Sequence, residues 1–255
     1  MPAEINPRTL KTMSHPKPIL ALSVLAASLA FALSPLFSKG FAGFTPAQFP
    51  VVLDYWPVQP AGWAFSIWGL IYLWLICGAI WGLVKAPSDR DWQRMRIPLL
   101  ISLGIGVFWI AAANASPVLA TAMIFMMLFA AIFAMLRAGS DDPIWQVRPV
   151  ALYAGWLTAA AGVGTGVVLS GYGVLSAQMA ALVMLVAVLV AALVVQALRP
   201  EEWAYPLAVI WALAGIIAAN LEAANWPVIA LAKVGILALA IRFYSTGNRD
   251  RARER

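Results

Sequence analysis

The sequence contains a single cysteine and a single histidine, and these two shortages exclude several kinds of site. Cys77 lies inside an apolar run, so one chain can build neither a disulfide framework nor a thiolate metal site. His15 lies near the N-terminus, outside every apolar run, and a histidine-based metal site or proton relay is not expected. We therefore predict that the protein has no metal and no cofactor.

Charge is the second shortage. Only 11% of the residues are charged and 63% are hydrophobic, whereas soluble domains have about 25% charged and 45–50% apolar residues. The net charge of +6 could suggest a nucleic-acid partner, but the basic residues lie in short segments between apolar runs. This distribution is typical of residues that orient a membrane protein. The lipid bilayer is the expected partner, and nucleic acid is not.

The apolar runs predict the fold class. Each is close to the length of about 20 residues that a helix needs to cross a hydrocarbon core. They predict an all-α, polytopic membrane helix bundle of about eight transmembrane helices over residues 18–243. The runs lie at about 18–38, 61–84, 97–115, 117–136, 149–169, 173–198, 204–221 and 226–243.

The basic residues predict the orientation of this bundle. Of the 17 basic residues, all except Lys39 and Lys233 fall on one side of the eight runs. Lysine and arginine accumulate on the cytoplasmic side of membrane proteins, so both termini are predicted to be cytoplasmic. The prediction is a multi-pass protein of the cell membrane, in a bacterium the inner membrane. It comprises a cytoplasmic tail at 1–17, an extracytoplasmic loop at 39–60 and a basic cytoplasmic tail at 244–255.

The first apolar run allows an alternative. Lys17, the apolar stretch after it and Ala30-Phe31-Ala32 resemble a signal peptide with a small-residue cleavage site. The apolar stretch continues to Phe37, beyond the usual length of such a region, and this favours a retained first helix. Both alternatives leave residues 39–60 outside.

Small-residue patterns within the runs suggest close helix contacts. Gly78–Gly82 and Gly162–Gly166 have the Gly-xxx-Gly spacing, which suits either packing inside one chain or a homodimer face. In addition, Asn114-Ala-Ser-Pro resembles Asn225-Trp-Pro, which suggests a four-plus-four helix duplication of the kind found in transporters. Shared turn chemistry explains the likeness about as well.

Lys233 is the one charged residue well inside a run. Because an intramembrane charge is costly, it is a functional candidate. It could hold a retinal Schiff base, pair with Glu222 at the outer end of the seventh run, or extend toward a polar surface. A retinal site would need a carboxylate counter-ion near mid-membrane, and no other run contains one.

Catalytic groupings are also missing from the sequence. Serine, histidine and aspartate do not converge, no run contains a pair of carboxylates, and there is no phosphate-binding loop. We predict no catalytic residues and a protein that is not an enzyme.

A tryptophan-rich motif opens the second run. Residues 60–72 read Pro-Ala-Gly-Trp-Ala-Phe-Ser-Ile-Trp-Gly-Leu-Ile-Tyr. They resemble the second-helix signature of the tryptophan-rich sensory protein family, TspO/MBR, which is related to the translocator protein. The segment from Trp211 to Asn220 is similar to that family's last helix. Two features depart from the family: Trp63 and Trp68 are five positions apart instead of six, and the family has five spans.

The resemblance implies a long, divergent family member with an aromatic-lined pocket for tetrapyrroles, sterol-like lipids or other flat hydrophobic molecules. The implied ligand-binding residues are Trp63, Phe65, Trp68, Tyr72, Trp211 and Asn220. Because positions 65, 68 and 72 share one helix face, we expect those three at the centre, near the outer half of the bundle and under residues 41–58, with Trp63 at the rim. The implied role is a sensor or regulator; a secondary transporter is the alternative, and a structural or assembly role stays open.

Overall fold

The computed structural model describes residues 18–38 and 41–253 of the chain. Within these residues there are eight α-helices, and all connections are short except residues 34–66 between α1 and α2. Each helix is long and apolar enough to cross a membrane, α1 together with the 3₁₀ turn that extends it to Phe37. The prediction of an all-α, polytopic membrane bundle is therefore confirmed. The helices are α1 Ile19–Leu33, α2 Ile67–Lys85, α3 Arg90–Ala115, α4 Pro117–Arg137, α5 Val147–Gly171, α6 Ala177–Leu198, α7 Ala204–Leu221 and α8 Trp226–Arg253.

Several helix boundaries differ from the limits of the apolar runs, and three of them have a clear local cause. The second run opens with a 3₁₀ turn, Gly62–Ser66, and α2 begins only at Ile67. α3 begins seven residues earlier than its run because the Asp89 carboxylate accepts hydrogen bonds from two amides of the first turn. α8 continues to Arg253, since a polar segment without proline can remain helical after the apolar residues end.

The first five helices form a closed ring. α1 packs against α2 and α3, α3 packs against α4, α4 packs against α5, and α5 returns to α2. We call this group the five-helix ring. Because α5 also packs against α6 and α7, 72% of its membrane-spanning window is buried, more than for any other span. α5 therefore joins the ring to the three outer helices, α6, α7 and α8.

The helix neighbours repeat along the chain. α1 packs against α2 and α3, and α3 packs against α4; in the same way α5 packs against α6 and α7, and α7 packs against α8. A four-plus-four duplication would produce this order of neighbours.

Both Gly-xxx-Gly pairs lie at contacts inside the chain. A Cβ atom on Gly78 would lie 2.4 Å from the carbonyl oxygen of Trp145, and one on Gly162 would lie 2.2 Å from Val188. Helix backbones can approach this closely only where no side chain intervenes. These glycines therefore serve packing within the monomer, and a homodimer would need another face.

Two buried arginines close helix ends at the basic side of the bundle. Arg96 donates hydrogen bonds to the carbonyl oxygens of Gly82, at 2.7 Å, and Ala86, at 3.0 Å, at the end of α2. Arg199 does the same at the end of α4, where it donates to the carbonyl oxygens of Met135 and Ala138. Helix C-termini carry unpaired carbonyl groups and a partial negative charge, which a guanidinium satisfies. These two residues thus have a structural role in addition to any effect on orientation.

The orientation remains a prediction from the charges, and reporter fusions test it. We expect fusions after Arg255 and within 86–95, 138–147 and 199–203 to report cytoplasm, and fusions within 40–58 to report the outside, because basic loops are retained on the cytoplasmic side. A C-terminal reporter active only outside the cytoplasm would contradict the predicted orientation.

Candidate functional site

Residues 41–61 cross one end of the five-helix ring, and we call this segment the strap. Several of its apolar side chains are buried, among them Phe44, Phe49 and Trp56. The Val51 amide donates to the carbonyl oxygen of Gly171 at 2.9 Å, and the Gln48 amide group donates to that of Ala113 at 2.8 Å. The strap is therefore packed onto the helix ends of α3 and α5 and covers the ring.

α7 holds the end of the strap from outside the ring. The Asn220 amide group donates to the carbonyl oxygen of Pro57 at 2.8 Å and accepts a hydrogen bond from the Tyr55 hydroxyl. Five residues earlier on α7, the Gly215 carbonyl accepts from the Ala61 amide at 3.0 Å. Nine residues earlier, the Trp211 indole donates to the carbonyl oxygen of Ala64 at 2.8 Å. α7 thereby fixes the segment that leads into α2. Burial raises the pKa of the Tyr55 hydroxyl above its ordinary value.

A cavity lies under the strap and inside the five-helix ring, and we call it the ring cavity. Its free space is about 30 Å³, room for about one or two water molecules. Small residues of α4 and α5 complete the wall, and no charged side chain is among the described lining residues. The larger or polar lining residues are Phe41, Phe44, Gln59, Phe65, Trp68, Trp109, Thr121, Ile124 and Trp156.

A second cavity lies beside the first, and we call it the side cavity. It has a free space of about 140 Å³. Pro35, Tyr72 and Ile110 belong to it alone, whereas the two cavities share four aromatic residues: Phe41, Phe65, Trp68 and Trp109. Aromatic rings are thus the partition between the two spaces.

The rings around the ring cavity meet mostly edge to face. Trp68 and Trp156 have ring centroids 6.2 Å apart at 82°, and Phe65 and Trp156 have centroids 5.8 Å apart at 83°. Trp68 in turn stacks on Tyr72 at 5.2 Å. Edge-to-face and offset arrangements are the favourable geometries for aromatic pairs. Aromatic rings therefore surround one small, almost entirely apolar space.

The indole N–H groups of this cavity differ in their partners. Trp109 donates to the carbonyl oxygen of Ala120 at 2.9 Å. The N–H of Trp156, a residue only 2% exposed, is buried and finds no acceptor among the described residues. A buried donor without a partner costs about 1–3 kcal/mol. A molecule that places an acceptor near Trp156 would recover that free energy.

Of the six ligand-binding residues that the resemblance implied, the structure places three at the cavities and three outside them. Phe65 and Trp68 line both cavities, and Tyr72 lines the side cavity. Trp63 lies in the 3₁₀ turn, is 49% exposed, and packs edge to face on Trp211 at 5.1 Å. Asn220, like Trp211, contacts the strap and the entrance to α2 and does not line either cavity.

Sequence reasoning missed much of the cavity wall. Trp109 and Trp156 each lie in an apolar helix of the ring, and Phe41, Phe44 and Gln59 come from the strap. A tryptophan within the run of small residues around Gly155 was the available signal for Trp156. The contributions of Gln59 and Thr121 had no such signal, because single polar residues near helix ends are common.

Lys233 and Glu222 are both exposed on the surface of the bundle. The two ion pairs within the described part of the chain join Arg94 to Asp91 and Arg199 to Glu201. This placement favours a lysine that extends along α8 toward a polar surface.

Substitution of Lys233 tests that interpretation. We expect Lys233→Leu to insert into the membrane at least as well as the wild type, because the change removes an intramembrane charge. We also expect its ligand affinity to equal that of the wild type, because an exposed lysine has no part in a binding site inside the bundle. Membrane-fraction yield and ligand affinity are the measurements, with Glu222→Gln as the parallel variant. A matching loss of affinity in both variants, with normal insertion, would instead indicate a functional pair.

The comparisons with known proteins agree with the motif in α2. No curated protein and no solved structure matches the chain. A family model described as TSPO-like protein matches residues 22–244, nearly the whole chain. The match includes the strap and all eight helices except the first three residues of α1 and the end of α8. The chain therefore belongs to the TSPO-like protein family and is a multi-pass membrane protein.

Proposed function

We propose that the ring cavity binds a flat hydrophobic molecule, a tetrapyrrole or a sterol-like lipid, and that the protein acts as a sensor or regulator in a bacterial inner membrane. The observation that carries the proposal is the aromatic wall of the ring cavity, to which Trp156 contributes with a buried N–H that has no acceptor among the described residues. Ligand sites are mostly apolar with a few convergent polar groups. The ring cavity has that composition.

The shape and charge of the cavity define the ligand class. Aromatic walls favour a flat molecule, since stacked and edge-on ring contacts each contribute about 0.5–1.5 kcal/mol beyond their area. No described lining residue carries a charge, so the buried part of the ligand is neutral. Trp156 adds a requirement for one hydrogen-bond acceptor, such as a carbonyl oxygen or a ring nitrogen.

The free space of about 30 Å³ is too small for such a molecule, because ligand pockets typically enclose about 300–1,000 Å³. Binding must therefore displace part of the wall. The helices of the ring pack on several neighbours, whereas Phe41 and Phe44 belong to the strap. We propose that ligand binding moves the first residues of the strap, which carry Phe41 and Phe44 and precede its hydrogen bonds to the helix ends. A changed outer surface is what a sensor would present to a partner.

Substitution of Trp68 by leucine tests the proposal. In lipid nanodiscs, we expect the wild type to bind a porphyrin with quenching of tryptophan fluorescence. Trp68→Leu should bind about tenfold more weakly, a loss of about 1.4 kcal/mol, because it loses ring contacts and keeps apolar volume. Trp226→Leu is the matched control, because Trp226 lies on the exposed surface of α8. Unchanged affinity in Trp68→Leu, or no binding by the wild type, would contradict the proposal.

A secondary transporter is the second candidate, and the repeated order of helix neighbours favours it. Transporter sites lie between the two repeats near the middle of the membrane and often use charged coupling groups. The ring cavity instead lies under the strap, is lined by no residue of α6, α7 or α8, and has no charged lining residue among those described. Flux of the porphyrin into proteoliposomes would favour the transporter, and quenching without flux would favour the sensor.

Binding without chemical change is the third part of the proposal. Recovery of the porphyrin unaltered after long incubation with the protein is the expected result. A product with a new absorbance spectrum, formed in proportion to incubation time and protein concentration, would show catalysis.

A further inference from the structure

The side cavity lies where α1 ends early. α1 stops at Leu33, and a 3₁₀ turn, Ser34–Phe37, with Pro35 in its first turn, replaces the next helical turn. Since α1 packs against both α2 and α3, its early end leaves a gap between the start of α2 and the end of α3. Pro35 forms the base of this gap, Tyr72 and Ile110 form its sides, and Phe41 of the strap is also part of the wall.

The gap is at the level of the membrane. Tyr72 is five residues into α2 and Ile110 is five residues before the end of α3, so each lies about 7–8 Å inside its helix end. The exposed residues two positions before and after Pro35 are apolar: Leu33 is 48% exposed and Phe37 is 87% exposed. The side cavity is therefore bordered by a surface that suits lipid chains.

The hydroxyl of Tyr72 is unusual within the bundle. Two other tyrosines in the spans have hydroxyl partners: Tyr153 is 2.9 Å from the Ser102 hydroxyl, and Tyr205 is 2.9 Å from the Thr158 hydroxyl. The Tyr72 hydroxyl has no hydrogen-bond partner among the described residues, although Tyr72 belongs to a membrane-spanning helix and lines a cavity. An unsatisfied polar group costs more in an apolar medium than in water. A guest molecule with a hydroxyl or carbonyl group would remove that cost.

Phe41 separates this space from the ring cavity. Its ring meets Trp109 edge to face at 4.9 Å, Phe44 at 5.1 Å and Phe65 at 6.1 Å. The other shared rings belong to α3 or to the segment that α7 fixes at the start of α2. Of the four shared residues, Phe41 alone lies outside a helix or 3₁₀ turn.

We propose that the side cavity is a membrane-facing subsite through which the ligand reaches the ring cavity. It takes from the lipid phase a flat apolar molecule with a hydroxyl or carbonyl group, which bonds to Tyr72. The molecule then enters the ring cavity when Phe41 moves aside. This inference rests on the proposed function, because it assigns a route to the same ligand.

Binding kinetics in nanodiscs test the subsite, with a fluorescent sterol that carries one hydroxyl group as the probe. Ile110→Trp fills the side cavity and leaves every residue of the ring cavity unchanged. We expect its association and dissociation rates to fall about fivefold together, while the affinity stays within about twofold. Phe108→Trp is the matched control on the same helix, and its rates should equal those of the wild type.

Tyr72→Phe provides a second test that preserves ring volume and folding. Its association rate for the sterol should fall about threefold, and its rate for the same ring system without the hydroxyl should be unchanged. Wild-type rates for the sterol in both Ile110→Trp and Tyr72→Phe would overturn the subsite while binding itself persists. If the wild type binds neither the sterol nor the porphyrin, the proposed function fails, and the subsite fails with it.

Discussion

Gly155→Ala is expected to remove most of the folded protein. A Cβ atom at this position would lie 2.2 Å from the carbonyl oxygen of Tyr205 and 3.0 Å from the Cβ of Ala208. The obstacle is the backbone of α7, which cannot rotate away as a side chain could. Overpacked cores typically lose about 1–3 kcal/mol, and a clash with backbone belongs at or above the upper end of that range. Thermal unfolding and monodisperse yield in detergent measure the effect.

Gly104→Ala is the matched control for that substitution. Gly104 is also inside a helix of the ring, and a Cβ there would meet no atom within 4 Å. Alanine is the better helix former by about 1 kcal/mol, so Gly104→Ala should be as stable as the wild type or more so. Equal stability of the two variants would mean that α5 and α7 do not cross where the structure has them. The attachment of the outer helices to the ring would then be wrong.

Trp156→Phe is expected to lower ligand affinity about tenfold for a ligand that bears an acceptor, because the hydrogen bond from the indole N–H is lost in a buried site. Protein stability should change little, because removal of an unpaired buried donor offsets the smaller ring volume. Isothermal titration with two flat ligands, one with a carbonyl group and one without, measures the difference. The affinity for the second ligand should fall much less.

Trp109→Phe is the variant whose protein stability is compared with that of Trp156→Phe. The Trp109 N–H already donates to the carbonyl oxygen of Ala120. Its removal leaves that carbonyl without this donor and also reduces the ring volume, so this variant should be less stable than Trp156→Phe. If Trp156→Phe binds both ligands as the wild type does, Trp156 does not recognise the ligand.

The number and approximate limits of the helices could be predicted from sequence, because a span must carry about 20 apolar residues in succession. Helix neighbours could not be predicted in this way. Lipid chains are as apolar as leucine, so an apolar side chain does not reveal whether it faces lipid or protein. Leu73 and Leu75 illustrate this, since Leu73 is 62% exposed and Leu75 is 4% exposed on the same helix.

The candidate site could be predicted only where its residues are close in the sequence. Phe65, in the 3₁₀ turn, and Trp68 and Tyr72, in α2, follow a helical spacing, and the three line the two adjoining cavities. Trp156 and Phe41 join them only through the closure of the five-helix ring and the position of the strap, which no local pattern reports. Trp211 and Asn220 fit the family pattern in sequence, yet their side chains hydrogen-bond to the strap and the α2 entrance, and Asn220 also to Ile216 of its own helix. Their residue types alone do not distinguish a ligand contact from a contact with the chain.

Photo-crosslinking tests the ring cavity most directly. The wild type in nanodiscs is labelled with a flat sterol that carries a diazirine on its ring system, and the adducts are located by mass spectrometry with and without excess unlabelled sterol. We predict adducts at Phe65, Trp109 and Trp156 that the competitor removes. Adducts confined to exposed residues of the outer helices, such as Val190 and Leu237, and unaffected by the competitor, would contradict a ligand site inside the ring.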